Sequence, residues 1–224
     1  RLESSVHAFR MTLELLRGNH EQTLAKIQAF QAGASDATVS DRTESLDELE
    51  ADEDDLPTDT GDDIGGKVKI SLADMDLPSW KHELQADLLL IKALLAEMHR
   101  VTPEHDAKLQ HLKAHVLGKI AHPINPGNKK VLIFTAFADT ADYLYANLAS
   151  ELLAGQGLHS AKVTGKGAPK STLKKGYDFQ ELLTLFSPRS KEKAVVLPGE
   201  PAEVDLLIGT DRNTEDQNQQ DRDN

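Results

Sequence analysis

The chain has 224 residues, 39% of them hydrophobic, which is enough for one large or two small domains with part of the chain left solvated. It contains no cysteine, which excludes disulfides, thiolate zinc sites and a cysteine nucleophile. The net charge of −12 would oppose binding to a phosphate backbone if it were evenly spread, but it is not. Thirteen acidic residues against one basic residue, Arg42, lie between Asp36 and Asp63 and account for all of it; the remaining 24 acidic and 24 basic residues cancel.

From the start, Leu2, Val6, Phe9, Leu13 and Leu16 recur at helical spacing, and Leu24, Ile27 and Phe30 continue the stripe past Gly18, so residues 1–32 are expected to be helical. Residues 33–76 lose aromatics, gain Asp, Glu, Ser and Thr, and carry Gly61 and Gly65-Gly66, the composition of an acidic linker or insertion. Order resumes near Leu77. Pro78 suits a first helical turn, and Trp80, Leu84, Leu88, Ile91, Leu94 and Met98 form an apolar stripe in which Trp80 is expected to be a packing anchor. The longest apolar run here, Leu88 to Ile91, is far short of the roughly 20 residues of a membrane span. No signal-peptide pattern opens the chain, and a cytoplasmic protein without membrane contact is expected.

Thr102-Pro103 resembles a second helix start, leading into Leu109, Leu112, Val116 and Ile120. The two helices are expected to form an antiparallel hairpin over residues 77–128, closed by Pro123 and Pro126-Gly127. On the second helix His111 and His115 stand one turn apart, a spacing that can bind zinc, but no HExxH glutamate or third ligand accompanies them. Exposed helix histidines are the expectation.

From Lys130 the period changes. Val131 to Phe137 is nearly all apolar, as for a strand buried on both faces of a parallel sheet. Asp139 or Thr140 is expected to cap a helix through Tyr143, Leu144, Leu148 and Leu152 that stops at Gly155; Ser160–Thr164 reads as a strand, Phe179–Phe186 as a helix and Val204–Ile208 as a strand. Strand, helix, strand, helix, strand implies an α/β fold with right-handed crossovers and helices on both faces of a parallel sheet. Thr164 to Ser171 superficially suggests a phosphate loop, but Thr164 and Pro169 occupy its two required glycines. A mobile basic loop with Lys162, Lys166, Lys170, Lys174 and Lys175 is expected instead.

In such sheets ligands gather at the carboxyl ends of the strands. Two ends carry suitable polar residues: Thr135, followed by Asp139 and Thr140, and Thr210-Asp211, followed by Glu215, Gln217, Asn218, Gln220 and Asp221. The segment KVLIFTAFADTADYLYANL from Lys130 resembles helicase motif IV of bacterial Swi/Snf-like superfamily 2 proteins, and VDLLIGTDRNTEDQNQQD from Val204 resembles their motif V. The segment from Phe186 to Lys191 and the opening Arg1 to Ser5 also resemble parts of such proteins.

The resemblance implies a partial RecA-like parallel sheet over residues 129–224, truncated after motif V and preceded by a helical region with an acidic insertion. It implies the second lobe of an ATP-dependent helicase or translocase, in which two lobes clamp nucleic acid, DNA in the first place, and ATP with Mg in the cleft between them. Thr210, Asp211, Glu215, Asp216, Gln217 and Asn218 would then lie on the nucleotide side. Thr135, Phe137, Thr140, Lys166, Lys170 and Thr214 would lie on the nucleic-acid side, where polar contacts to the backbone fix register without reading sequence. The chain carries neither GxxxxGK[ST] nor the family's QRxGR segment, so it is not expected to hydrolyse ATP without a first lobe. Asp216 and Gln219 stand where the family has glycine and leucine. That departure keeps a second expectation open, a helicase remnant serving as a non-enzymatic interaction module.

Overall fold

The computed structural model describes residues 3–33, 63–64, 70–165 and 168–210. Among them six helices and six short strands are arranged in two compact units, Phe9–Arg100 and Arg1–Ala8 with Val101–Asn224. Within them no helix is long and apolar enough to cross a membrane.

The first unit is an antiparallel helix pair. Helix α1 (Val6–Gln31) runs unbroken through Gly18. Strands β1 (Asp63–Ile64) and β2 (Ile70–Ser71) form a small antiparallel bridge inside the stretch expected to be a linker, and helix α2 (Leu77–Arg100) follows a short 3-10 turn. Leu13 of α1 packs with Ile91 and Leu95 of α2, while Ile27, further along α1, packs with Leu72 and Leu77, and Trp80 and Leu84 lie partly buried against that cluster. The two charged residues in the middle of α2 turn towards α1: Lys92 pairs with Glu21 at 2.8 Å and Asp87 lies 3.9 Å from His20. Most of the acidic segment lies outside the described residues.

The second unit is a mixed α/β sheet. It comprises α3 (Ala107–Ala121), β3 (Val131–Thr135), α4 (Ala138–Gln156), β4 (Ser160–Val163), β5 (Lys170–Ser171), α5 (Phe179–Phe186), α6 (Lys193–Val196) and β6 (Leu206–Thr210). The strand order is β3-β6-β4-β5, with β3, β6 and β4 parallel and β5 antiparallel to β4. Strand β6 sits between two parallel neighbours, and its side chains alternate: Leu206 and Ile208 join α3 and α4, whereas Leu207 joins α5. Helices therefore cover both faces, and all five residues of β6 are buried.

Several local expectations change. Helix α3 starts at Ala107, not at Thr102-Pro103, because Asp106 accepts the Leu109 N–H at 3.0 Å and the carbonyl of Thr102 is used in the turn before it. The stripe of α3 is covered by the sheet and α4, and that of α2 by α1. Strand β3 is not buried on both faces: it lies at the edge of the described sheet, and Leu132 and Phe134 each keep 46% of their surface exposed. Helix α4 ends one residue past Gly155, where Gly157, free of a Cβ, takes the left-handed conformation (φ 67°) and donates its N–H to the Leu153 carbonyl at 3.0 Å. The supposed basic loop contains strand β5, and Lys162 belongs to strand β4.

Candidate nucleic-acid interface

The carboxyl ends of β3 and β6 coincide, since Thr135 and Thr210 are Cα partners in the parallel ladder. Neighbouring strands lie about 4.8 Å apart, so the two segments singled out in the sequence terminate side by side. By alternation both threonines belong to the α4 face of the sheet, and both are 8% exposed. The Thr135 hydroxyl donates to the Phe137 carbonyl at 2.9 Å, which ties the strand end to the start of α4. Phe137 is the residue before the helix, in place of the expected caps Asp139 or Thr140.

Thr140 has a different task. Its hydroxyl lies 2.8 Å from Ser4 Oγ and 3.2 Å from Ser5 Oγ, and Ser5 caps α1 by accepting the Ala8 N–H at 3.0 Å. These hydroxyls border a partly open cavity of about 300 Å³ beside the end of β3. Its lining also carries Asp106, whose two carboxylate oxygens accept the Leu109 N–H and the Tyr143 hydroxyl, each at 3.0 Å. Tyr143 is in turn stacked on His7, with ring centroids 5.0 Å apart and planes 6° from parallel. Lys108 donates to the carbonyls of Glu3 and Ser4.

The lysines of the β4–β5 hairpin divide. Lys162 is 4% exposed, and its ammonium meets Asp142 of α4 at 2.6 Å. It is a structural cation, not part of a solvated basic loop. Lys170 remains accessible, 3.7 Å from the same carboxylate, and Lys175 lies over the Tyr177 ring at 4.9 Å. Burial, with the Glu200 hydrogen bond and charge behind it, pushes the Tyr177 hydroxyl up to about 12. His111 and His115 are exposed on α3.

The structure thus brings together Thr135, Phe137, Thr140 and Thr210, and sets Lys170 on the next hairpin. Lys166, Asp211, Thr214, Glu215, Asp216, Gln217 and Asn218 lie outside the described residues. Sequence reasoning missed Asp106, which it did not single out, and Tyr143, which read only as a member of an apolar stripe. Ser4 and Ser5 had a signal, the resemblance of the opening segment, but nothing tied them to Thr140. For a nucleotide with Mg the fit is partial: the Thr135 hydroxyl already gives its proton to the Phe137 carbonyl, and the buried Lys162 ammonium is consumed by Asp142. Comparison with family models, with curated proteins and with solved structures finds no match to this chain.

Proposed function

We propose that the α/β unit is the second, RecA-like lobe of an ATP-dependent nucleic-acid translocase of the Swi/Snf-like class, binding a nucleic-acid backbone across the ends of β3 and β6. The observation that carries the reading is the pairing of Thr135 with Thr210. The two segments that resemble motifs IV and V are adjacent parallel strands ending at one level. Hydroxyls at strand ends suit backbone phosphates because they contribute hydrogen bonds whatever the base sequence, and the Thr135 hydroxyl would turn from the Phe137 carbonyl to donate one. Lys170 adds an accessible cation on β5, two strands from β6 in the same sheet. ATP, with its Mg, would be shared with a first lobe and would supply the energy for stepping; this chain's part is to hold the strand and one side of the nucleotide.

Titrating labelled single-stranded DNA with the full chain tests this by fluorescence anisotropy. The expected result is weak binding, with a Kd on the order of 10⁻⁴ to 10⁻⁶ M, that loosens as salt rises, and no ATP turnover with or without DNA. Absence of binding at low ionic strength overturns the proposal.

A second reading, a non-enzymatic interaction module, draws on α2, where Leu89 and Leu90 are 73% and 62% exposed on the side away from α1. It predicts no nucleic-acid binding at any salt, and self-association or partner capture that Leu90→Glu abolishes in sedimentation velocity.

A further inference from the structure

The cavity beside the end of β3 has a chemical character distinct from that of the strand ends. Its apolar wall is the rim of the main core, formed by Leu109, Leu112, Ile133 and Leu144. Its polar strip is the chain of hydroxyls from Ser4 through Thr140 to Ser5. A hydroxyl offers one donor and two acceptor positions, so this strip can meet either kind of group on a ligand. At about 300 Å³ the cavity stands at the small end of ligand pockets.

The two charged groups in its lining are already hydrogen-bonded to the protein and are opposite in sign. Lys108 is directed to two backbone carbonyls, and the 4% exposed carboxylate of Asp106 holds the Leu109 amide and the Tyr143 hydroxyl. A phosphate entering here would meet the buried Asp106 carboxylate beside the Lys108 ammonium, two opposite charges that leave no net positive charge to attract it. A flat neutral group with apolar faces and a hydrogen-bonding edge suits it: the faces against the leucine wall, the edge towards the hydroxyls. The Tyr143 side is held in place by the His7 stack, which limits the ordering cost of binding.

We infer that this cavity takes an unstacked nucleobase of the strand whose backbone crosses Thr135 and Thr210. The inference rests on the proposed function and makes it more specific, because a duplex has no free base to insert while a single strand does. The α/β unit therefore prefers single strands, and the preference resides in the cavity, not in the strand ends.

The test uses three probes on the full chain: adenosine alone, a short labelled single strand and the same sequence as a duplex. Adenosine should bind on the order of 1 mM, followed by chemical-shift changes of residues lining the cavity. Leu112→Trp, which fills the cavity from its apolar wall, should abolish that binding and weaken the single strand about tenfold while leaving the duplex unchanged. Ser4→Ala removes only one hydroxyl of the strip and should weaken adenosine several-fold without altering the melting curve, which guards against a folding defect in the tryptophan variant. If the single strand binds but adenosine does not, or if both bind and neither variant changes the single-strand to duplex ratio, the nucleobase assignment is overturned and the backbone reading stands. If no nucleic acid binds, both fall.

Discussion

Strands β3 and β6 are both five residues long, lie in register and end together, yet they occupy different environments. Every residue of β6 is buried, whereas β3 hides Val131 and Thr135 and leaves Leu132 and Phe134 nearly half exposed. Both sequences are apolar runs, so composition alone gives them the same reading. The difference is one of rank in the sheet: β6 has a parallel neighbour on each side and helices above and below, and β3 has a neighbour on one side only among the described residues. An apolar run thus identifies a strand without telling how many of its faces are covered.

The comparison can be broken by substitution. Ile208 is fully buried in β6, so Ile208→Ala should cost about 2–5 kcal/mol in urea unfolding followed by circular dichroism, and Ile208→Asp should prevent folding of the unit. Phe134→Ser, in the matching strand, should cost under about 1 kcal/mol. Equal losses at the two positions would mean that β3 is as enclosed as β6.

A smaller effect concerns the next strand outward. Lys162 reaches Asp142 from a site with only 5% side-chain exposure, while Asp142 is 47% exposed. Asp142→Asn leaves the buried ammonium without a counter-charge and should cost about 1–3 kcal/mol, less than a fully buried pair because solvent reaches the carboxylate. Lys162→Met removes both the charge and its demand, and should be neutral within about 1 kcal/mol. A larger loss for Lys162→Met than for Asp142→Asn would contradict this account of the pair.

The smallest effect is at Tyr177. Its hydroxyl is raised above the usual value of 10.0 to about 12, so the neutral form is favoured by folding. The stability this contributes is fully present below pH 10 and is lost as pH rises towards 12. Absorbance titration should find late tyrosine ionisation, since burial also raises Tyr145, and Tyr177→Phe should remove the Tyr177 step together with the matching part of the alkaline loss of stability.

Legibility followed the range of the interaction. Helix α5 was readable to the residue, because Asp178 and Glu181 form a reciprocal capping box within three positions. Strand β5 was not, since Lys170-Ser171 has no apolar pattern and owes its conformation to its pairing with β4. The packing of α2 on α1 was equally hidden, because an apolar stripe does not say which helix covers it. At the candidate interface the two threonines were legible as strand ends following apolar runs. The hydroxyl chain from Ser4 and Ser5 to Thr140 was not, because it joins residues 135 and 136 positions apart.

The most direct measurement is the affinity of single-stranded DNA for the wild-type chain and for the Thr135→Val, Thr210→Val double variant across a salt series. Hydroxyls contribute hydrogen bonds but release no counterions. If the strand crosses the ends of β3 and β6, the double variant should bind about tenfold more weakly at every salt concentration, with the slope of log affinity against log salt unchanged. Equal affinities for the two proteins would contradict a backbone site at these strand ends.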